Sequence, residues 1–389
     1  MKPVITNDIL YIGTDDTTID LFESQYPVPE GVSYNSYLIL DEKITVMDTV
    51  DARGTEAWLS NLKEGLNGKS PDYLVISHLE PDHAANIGTL AEMYPDMKLI
   101  GNAKTFSMLP QFFHKDFKDR QVVVKEGETV SLGRHTLQFF MAPMVHWPEV
   151  MVTYESTEKI LFSADGFGKF GAMDAEDDEG WACEARRYYF NIVGKYGAPV
   201  QALLKKAATL DIEKICPLHG PILDENLGYY IGLYDTWSSY QPENKGVLVA
   251  YASIHGNTGK AAEKFADMLR EKGVEKVVVS DLAREDMAEV IEDAFRYDRM
   301  VVAGASYDGG VFPCMQDFLH HLQSKAYQNR TVGIIENGSW APCAAKAMKA
   351  VLETMKNVTI VEPSVTIKST MKETDIPAME ALADTIAKA

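Results

Sequence analysis

The sequence predicts two successive α/β domains: two packed sheets with helices outside over residues 1–245, then a doubly wound parallel sheet over residues 246–389. Three observations predict it. The chain has 389 residues, more than one hydrophobic core usually spans. A short polar stretch from Gln241 to Gly246, with Pro242 inside it, follows an aromatic helix-like run from Tyr229 to Tyr240. Beyond that stretch the hydrophobic rhythm changes to continuous apolar runs, the mark of strands buried on both faces, separated by segments of helical period. Hydrophobic residues make up 46% and charged residues 24%, values of a globular chain rather than a disordered one.

In the first domain the strand candidates are Ser36–Leu40, Ile44–Met47, Tyr73–Ser77, Val122–Lys125, Thr136–Met141, Val150–Tyr154, Ile160–Ser163 and Lys214–Pro217. Several are joined by turn signals such as Asp41-Glu42-Lys43 and Glu126-Gly127-Glu128, which suit antiparallel neighbours. Met1 to Asp20 reads as turn-rich and lacks the apolar stretch of a secretory leader. The acidic run Glu176-Asp177-Asp178-Glu179 reads as a solvated loop. In the second domain the strands are Val247–Tyr251, Val277–Val279, Met300–Ala303, Val332–Ile335 and Val358–Val361. The helices are Lys260–Lys272, Met287–Phe295, Cys314–Lys325 and Ala341–Lys356, with Ile376–Ala387 closing the chain. Strict alternation of this kind builds an open parallel sheet with helices on both faces.

Charge and cysteine usage exclude several functions. There are 37 basic and 57 acidic residues, a formal net charge of −20. Such a chain repels phosphate backbones and anionic membrane surfaces, so neither nucleic acid nor membrane is an expected partner. No apolar run approaches the roughly 18 residues a spanning helix needs. Cys183, Cys216, Cys314 and Cys343 form no C-x-x-C pair, which rules out zinc ribbons, rubredoxin-type iron sites and thioredoxin-like motifs. The expectation is reduced thiols in a cytoplasmic protein.

Two constellations suggest chemistry. The first is His78-Leu79-Glu80-Pro81-Asp82-His83, four potential metal ligands within six residues, at the end of the strand Tyr73–Ser77. Pro81 argues against regular helix there. Further candidates each follow a strand: His146, Asp165 and His219. Strand ends project to one rim, so four loops can converge. The remaining histidines, His114, His135, His255, His320 and His321, sit in polar turns, in the second domain's first loop or in a helix, and read as structural or undecided.

The second constellation follows the strand Val247–Tyr251: Ser253, Ile254, His255, Gly256, Asn257, Thr258 and Gly259 lead into a helix expected from Lys260. Hydroxyls and backbone N–H groups at a helix start cradle anions. Ile254 stands where a Walker A loop requires glycine, and the donor set suits a phosphate monoester such as that of FMN. Two more strand-end loops follow, Ser306-Tyr307-Asp308-Gly309-Gly310 and Glu336-Asn337-Gly338-Ser339-Trp340. Each pairs glycine, for close backbone approach, with an aromatic able to flank a flavin ring. The G-x-G-x-x-G pattern at Gly166–Gly171 lacks a following helix and leads into carboxylates, so it is not read as a dinucleotide site.

The first four loops, with Asp48 after the strand Ile44–Met47, resemble the metallo-β-lactamase superfamily, and the last three resemble flavodoxins. The implied fold is a metallo-β-lactamase-like αβ/βα sandwich followed by a flavodoxin-like doubly wound sheet. Zinc hydrolases of that superfamily carry H-x-H-x-D-H at the first loop; here Glu80 replaces the second histidine. Harder, carboxylate-rich ligation suits iron or manganese better than zinc. The combination resembles the flavodiiron proteins across essentially the whole chain. That resemblance implies His78, Glu80 and His146 on one iron, Asp82, His83 and His219 on the other, and Asp165 as the bridge. It implies FMN and two irons per chain, and reduction of dioxygen to water, nitric oxide to nitrous oxide, or both. It further implies a head-to-tail homodimer (or a dimer of dimers), with Trp340 packed between the two centres and Tyr34, Trp147 and Tyr196 lining the substrate pocket. Without its own rubredoxin motif, the chain is expected to draw electrons from a separate rubredoxin or similar small protein, docking at a local basic patch near the flavin loops. Two other readings compete. One is a di-metal hydrolase of the lactamase fold with a regulatory flavodoxin domain, which Glu80 argues against. The other is an electron-transfer or redox-sensing module with a structural metal.

Overall fold

A computed structural model describes residues 3–175 and 179–389, so the acidic run at Glu176 lies, but for Glu179, outside the described residues. The chain divides into two compact units, Met1–Tyr189 with Ala198–Asp235, and Phe190–Gly197 with Thr236–Ala389.

The first unit holds a six-stranded sheet in the order Ile9–Tyr11, Tyr37–Ile39, Thr45–Met47, Tyr73–Val75, Lys98–Gly101, Gln121–Val123. Its five-stranded partner runs Thr129–Ser131, Thr136–Met141, Met151–Glu155, Ile160–Phe162, Lys214–Cys216. The core lies between them: Ile39, Met47, Val75 and Ile100 from one sheet meet Leu137, Phe139, Ile160 and Phe162 from the other, each at most 2% exposed. Burying each such side chain contributes about 1.5–3 kcal/mol. The helix Thr55–Leu66 buries Trp58, Leu62 and Leu66, one stripe at four-residue spacing, and stops where Asn67 turns left-handed at φ 46°. Most predicted strands are present but shorter. The turn-rich N-terminus instead contributes Ile9–Tyr11 and Thr14–Asp16, short strands whose edge pairing no local pattern announces.

Topology positions the site. Tyr73–Val75 runs parallel to Thr45–Met47, and Ile160–Phe162 parallel to Lys214–Cys216. Their C-terminal ends therefore deliver His78 beside Asp48, and Asp165 beside His219.

The second unit is a parallel sheet in the order Val277–Asp281, Asn244–Ala252, Tyr297–Tyr307, Thr331–Asn337, then Thr359–Ile360 and Val365–Ile367 at the edge. This is the flavodoxin-like order, second strand outermost. The predicted last strand Val358–Val361 is split: Glu362-Pro363 interrupts it, since proline cannot donate to the ladder, and Val365–Ile367 pairs beside Ile335–Asn337. The predicted helix Lys260–Lys272 begins three residues earlier, at Asn257, because Gly256 makes the turn at φ 86°. The helix expected over Ala341–Lys356 spans only Ala344–Leu352: Pro342 precedes it, and Ser306 Oγ accepts from the Cys343 and Ala344 N–H groups at its start. Asp308 and Gly309, both at positive φ, form a two-residue hairpin between Tyr297–Tyr307 and Gly310–Val311, which the sequence reading took as plain loop. Among the described residues no helix is long and apolar enough to cross a membrane.

Candidate metal centre and flavin cavity

Pro81 starts a helical turn instead of preventing one. It occupies the first position of the short helix Pro81–Ala84, where its missing N–H costs nothing, and Glu80 is the residue before it. That turn aims Asp82 and His83 inward from the same loop as His78. His146 arrives from the connection between Thr136–Met141 and Met151–Glu155. The seven predicted side chains come together in two groups: His78, Glu80, His146 and Asp165, and Asp82, His83 and His219. In the first, His146 Nε2 lies 3.0 Å from Glu80 Oε2 and 3.2 Å from Asp165 Oδ2, and His78 Nε2 lies 3.2 and 3.3 Å from the same two oxygens. In the second, Asp82 Oδ2 lies 3.2 Å from both His83 Nε2 and His219 Nε2. Asp165 divides between them: Oδ2 faces the first group, while Oδ1 is 3.3 Å from His83 Nε2.

This donor set suits cations. Both oxygens of Asp82, both of Asp165 and His146 Nε2 are buried and make no hydrogen bond. Unpaired buried carboxylates are costly, so buried charges are paired or coordinate metals. His83 Nε2 and His219 Nε2 approach to 3.0 Å. His219 Nδ1 donates to the Ser33 carbonyl at 2.7 Å, which leaves its Nε2 lone pair facing the pocket. Burial opposes charge throughout, but opposite charges outweigh it. Asp165, Glu149 and Glu80 raise His78 to about 9, and Asp165 and Glu80 raise His146 to about 10. The histidines pull Asp82 and Asp165 below the usual carboxylate range despite their burial. The pocket thus attracts positive charge, and two hard divalent ions match its oxygen-rich donors. Asp48 stands behind the ligand loop: it accepts from the Ser77 N–H at 2.6 Å, and burial pushes it up to about 6.

Sequence reasoning missed Glu149. It is fully buried, and its Oε1 lies 2.8 Å from His78 Nδ1 while accepting from the Leu79 N–H at 2.9 Å. The Glu in His146-Trp147-Pro148-Glu149 was the only available signal, and nothing in a single sequence distinguishes it. The aromatic surroundings also differ in part. Tyr34 lies edge-on to His219 at 6.0 Å and Trp147 edge-on to His78 at 5.1 Å, as expected. Phe22 and Tyr188 join them beside His219, at 5.4 and 5.5 Å. Tyr196 is not among them: it ends the one-turn helix Gly194–Tyr196 in the second compact unit, under the Lys195 ammonium. His135, expected in a polar turn, is buried, its ring nitrogens 3.1 and 3.2 Å from Glu155 and Asp8.

The second unit carries a cavity of about 770 Å³. Its lining includes Ser253, Ile254, His255, Asn257, Thr258, Ser306, Tyr307, Asp308, Gly309, Asn337, Gly338, Ser339 and Trp340, from all three predicted loops, and adds Ala305, Ala341, Pro342, Cys343 and Ser369. Gly256, Gly259 and Glu336 are not in that lining. Gly256 supplies the left-handed turn, and Gly259 lets the helix sit close on Tyr251, whose ring a Cβ would meet at 3.0 Å. Glu336 accepts from the Ala345 N–H and from the Thr366 hydroxyl, holding the wall rather than facing the cavity. No side chain caps the helix Asn257–Glu271, so its first N–H groups remain for an anion. Around the mouth, Trp340 is 93% exposed and Tyr307 44%.

Comparison with known proteins agrees with this arrangement. The family model described as ODP family beta lactamase matches residues 32–220. The nitric oxide reductase of Moorella thermoacetica is 30% identical over 377 residues, 94% of each chain. The rubredoxin-oxygen oxidoreductase of Megalodesulfovibrio gigas is 30% identical over 373 residues, covering 93% of this chain and 91% of that one. The solved structure of rubredoxin oxygen:oxidoreductase from Desulfovibrio gigas superposes with a TM-score of 0.92 at 28% identity, over 100% of this chain and 98% of that one. A two-domain oxidoreductase with a histidine–carboxylate metal pocket and a flavin-sized cavity is therefore the class defined here. The chain belongs to the flavodiiron proteins, oxidoreductases of dioxygen and nitric oxide whose cofactors are FMN and a pair of irons.

Proposed function

We propose that this protein reduces dioxygen to water, nitric oxide to nitrous oxide, or both, with electrons from a separate rubredoxin-like protein, in the cytoplasm. His78, Glu80 and His146 would hold one iron and Asp82, His83 and His219 the other, with Asp165 shared between them. The single observation behind this is the division of the two Asp165 oxygens between the two donor groups. When bound, two ferrous ions and reduced FMN supply four electrons, the number dioxygen needs to become water, and two nitric oxides need only two.

The protein's own residues bind, orient and exclude. Ser33 and Glu149 receive the Nδ1 protons of His219 and His78, fixing each ring so that Nε2 faces inward. Asn35 Nδ2 donates to the carbonyls of Pro217 and Gly220, clamping the turn that presents His219. Phe22, Tyr34 and Tyr188 pack against His219, and Trp147 against His78, so that rings rather than charged groups surround the donor set. In the second unit, the N–H groups opening the helix Asn257–Glu271 would hold the FMN phosphate, and Tyr307 and Trp340, both in the cavity lining, would stand beside the flavin. The exposure of Trp340 supports its burial in a head-to-tail homodimer, where FMN of one chain meets the irons of its partner. Exposed Lys346, Lys368 and Lys372 near the flavin loops supply the basic patch for an acidic donor.

The test is anaerobic gas consumption by the iron-replete, rubredoxin-reduced protein, with each gas in turn. Stoichiometric uptake of at least one, without peroxide from dioxygen, is expected. Two zincs per chain and thioester hydrolysis would instead establish the hydrolase.

A further inference from the structure

The two halves of the metal pocket differ in what stands behind their imidazoles. His219 Nδ1 meets a neutral acceptor, the Ser33 carbonyl, and His83 Nδ1 is buried without a hydrogen bond. His78 Nδ1 alone meets a carboxylate. An imidazole whose outer N–H bonds to an anion is a more basic ligand than one backed by a carbonyl, and its ring is held more firmly. With Asp165 facing both groups, each half offers the same number of donors, so the difference lies in what stands behind the rings.

Glu149 is built to keep this contact. It is fully buried, so no water competes for its charge. One oxygen, Oε1, serves both the ring of His78 and the N–H of Leu79, and so fixes the side chain and the backbone of the ligand loop together. Its own backbone is anchored from the other side. Asn102 Nδ2 donates to the Glu149 carbonyl at 2.6 Å, while Asn102 Oδ1 accepts from the Lys104 and Thr105 N–H groups that open the helix Ala103–Met108. A carboxylate held at both ends cannot swing to serve the other half.

We propose that Glu149 is a positioning residue that makes the two metal positions unequal: iron at the His78–Glu80–His146 position is retained longer than iron at the Asp82–His83–His219 position, and Glu149 sets the difference. This rests on the two-iron reading of the pocket and goes beyond it. Asp165, shared by both groups, cannot create such an asymmetry; a residue that touches only one half can.

The experiment is release of ferrous iron from the anaerobic, reconstituted holoprotein to excess bathophenanthroline disulfonate, followed by the colour of the chelate. The wild-type protein is expected to lose its two irons in two phases of equal amplitude. In Glu149→Gln, which keeps the shape and removes the charge, the slow phase should quicken by about 10–100-fold while the fast phase stays as it was. Glu149→Asp, which keeps the charge on a shorter arm, should fall between the two and serves as the second variant if Glu149→Gln does not fold. FMN content reports folding of each variant. A merely structural role would quicken both phases alike, and that result overturns the proposal, as does an unchanged slow phase. Two irons leaving the wild-type protein in one phase would also overturn it, while leaving the two-iron reading intact. A reconstituted protein holding zinc, or fewer than two irons, fails that reading instead.

Discussion

Asp165 is the side chain on which both donor groups depend, because one oxygen faces each. Asp165→Ala is therefore expected to lower iron in both positions to roughly a tenth of the wild-type content or less, the scale of losing a ligand common to two metals. FMN should remain, since the residues lining its cavity belong to the other compact unit. Metal analysis beside flavin absorbance checks both statements. Asp16 offers a separate test, of stability. Burial raises its carboxyl, but Arg53 and Thr18 more than compensate and hold it at about 2, below the ordinary 3.8. A lowered folded value means the pair stabilises above pH 4 and that this stabilisation is lost as pH falls through about 2. Arg53 is half exposed, so solvent screening keeps the pair's contribution small. Arg53→Ala should lower the stability at pH 7 and flatten the fall between pH 4 and pH 2, as followed by denaturant titration at several pH values. At this scale the two donor groups were legible, because four donors in six residues and three more at strand ends are a dense chemical signal. Glu149 and Tyr188 were not, because a residue behind a ligand leaves no mark in local spacing, and Tyr196 looked equally suitable from sequence.

Among the elements, the loop after Thr331–Asn337 has no room for a side chain at its glycine. A Cβ on Gly338 would meet Pro342 Cα at 2.7 Å and Ser306 Oγ at 2.8 Å, and neither can yield: one is backbone, and the other caps the helix Ala344–Leu352. Gly338→Ala should displace the loop at a cost of about 1–3 kcal/mol, and hence weaken FMN binding about tenfold or more. Flavin fluorescence titration would show it, and unchanged FMN affinity would mean that this loop is not part of the flavin site. Element type was readable wherever apolar runs alternated with helical period, which is why five strands of the second sheet were foreseen while the short Gly310–Val311 and Val365–Ile367 were not. Boundaries moved where a single residue outweighed the pattern: Gly256 advanced one helix, Pro342 and Ser306 delayed another, and Pro363 broke the edge strand. The strands before Asp20 escaped notice because their pairing with Tyr37–Ile39 and Val32–Tyr34 is tertiary, and two or three residues carry no period.

For the whole molecule, the open matter is whether electrons pass from FMN to iron within one chain or between two. Two broken proteins can answer it. Asp165→Ala should keep FMN and lose iron. A variant with Asn257 and Thr258 replaced by leucine should keep iron and lose FMN, because bulky apolar side chains would block the helix start proposed to hold the phosphate. Each alone is expected to be inactive. If the working pair is formed head to tail, a mixed dimer restores one competent centre: the flavin of the first chain faces the irons of the second. Random pairing during co-expression makes about half of the dimers mixed, each with one competent centre of two, so about a quarter of the wild-type rate per chain should return. If transfer runs within a chain, no mixed dimer contains an intact pair and the mixture stays as inactive as its parts. Gas consumption by the unfractionated co-expressed mixture decides between the two, and its elution volume on a sizing column reports whether the dimer has formed at all.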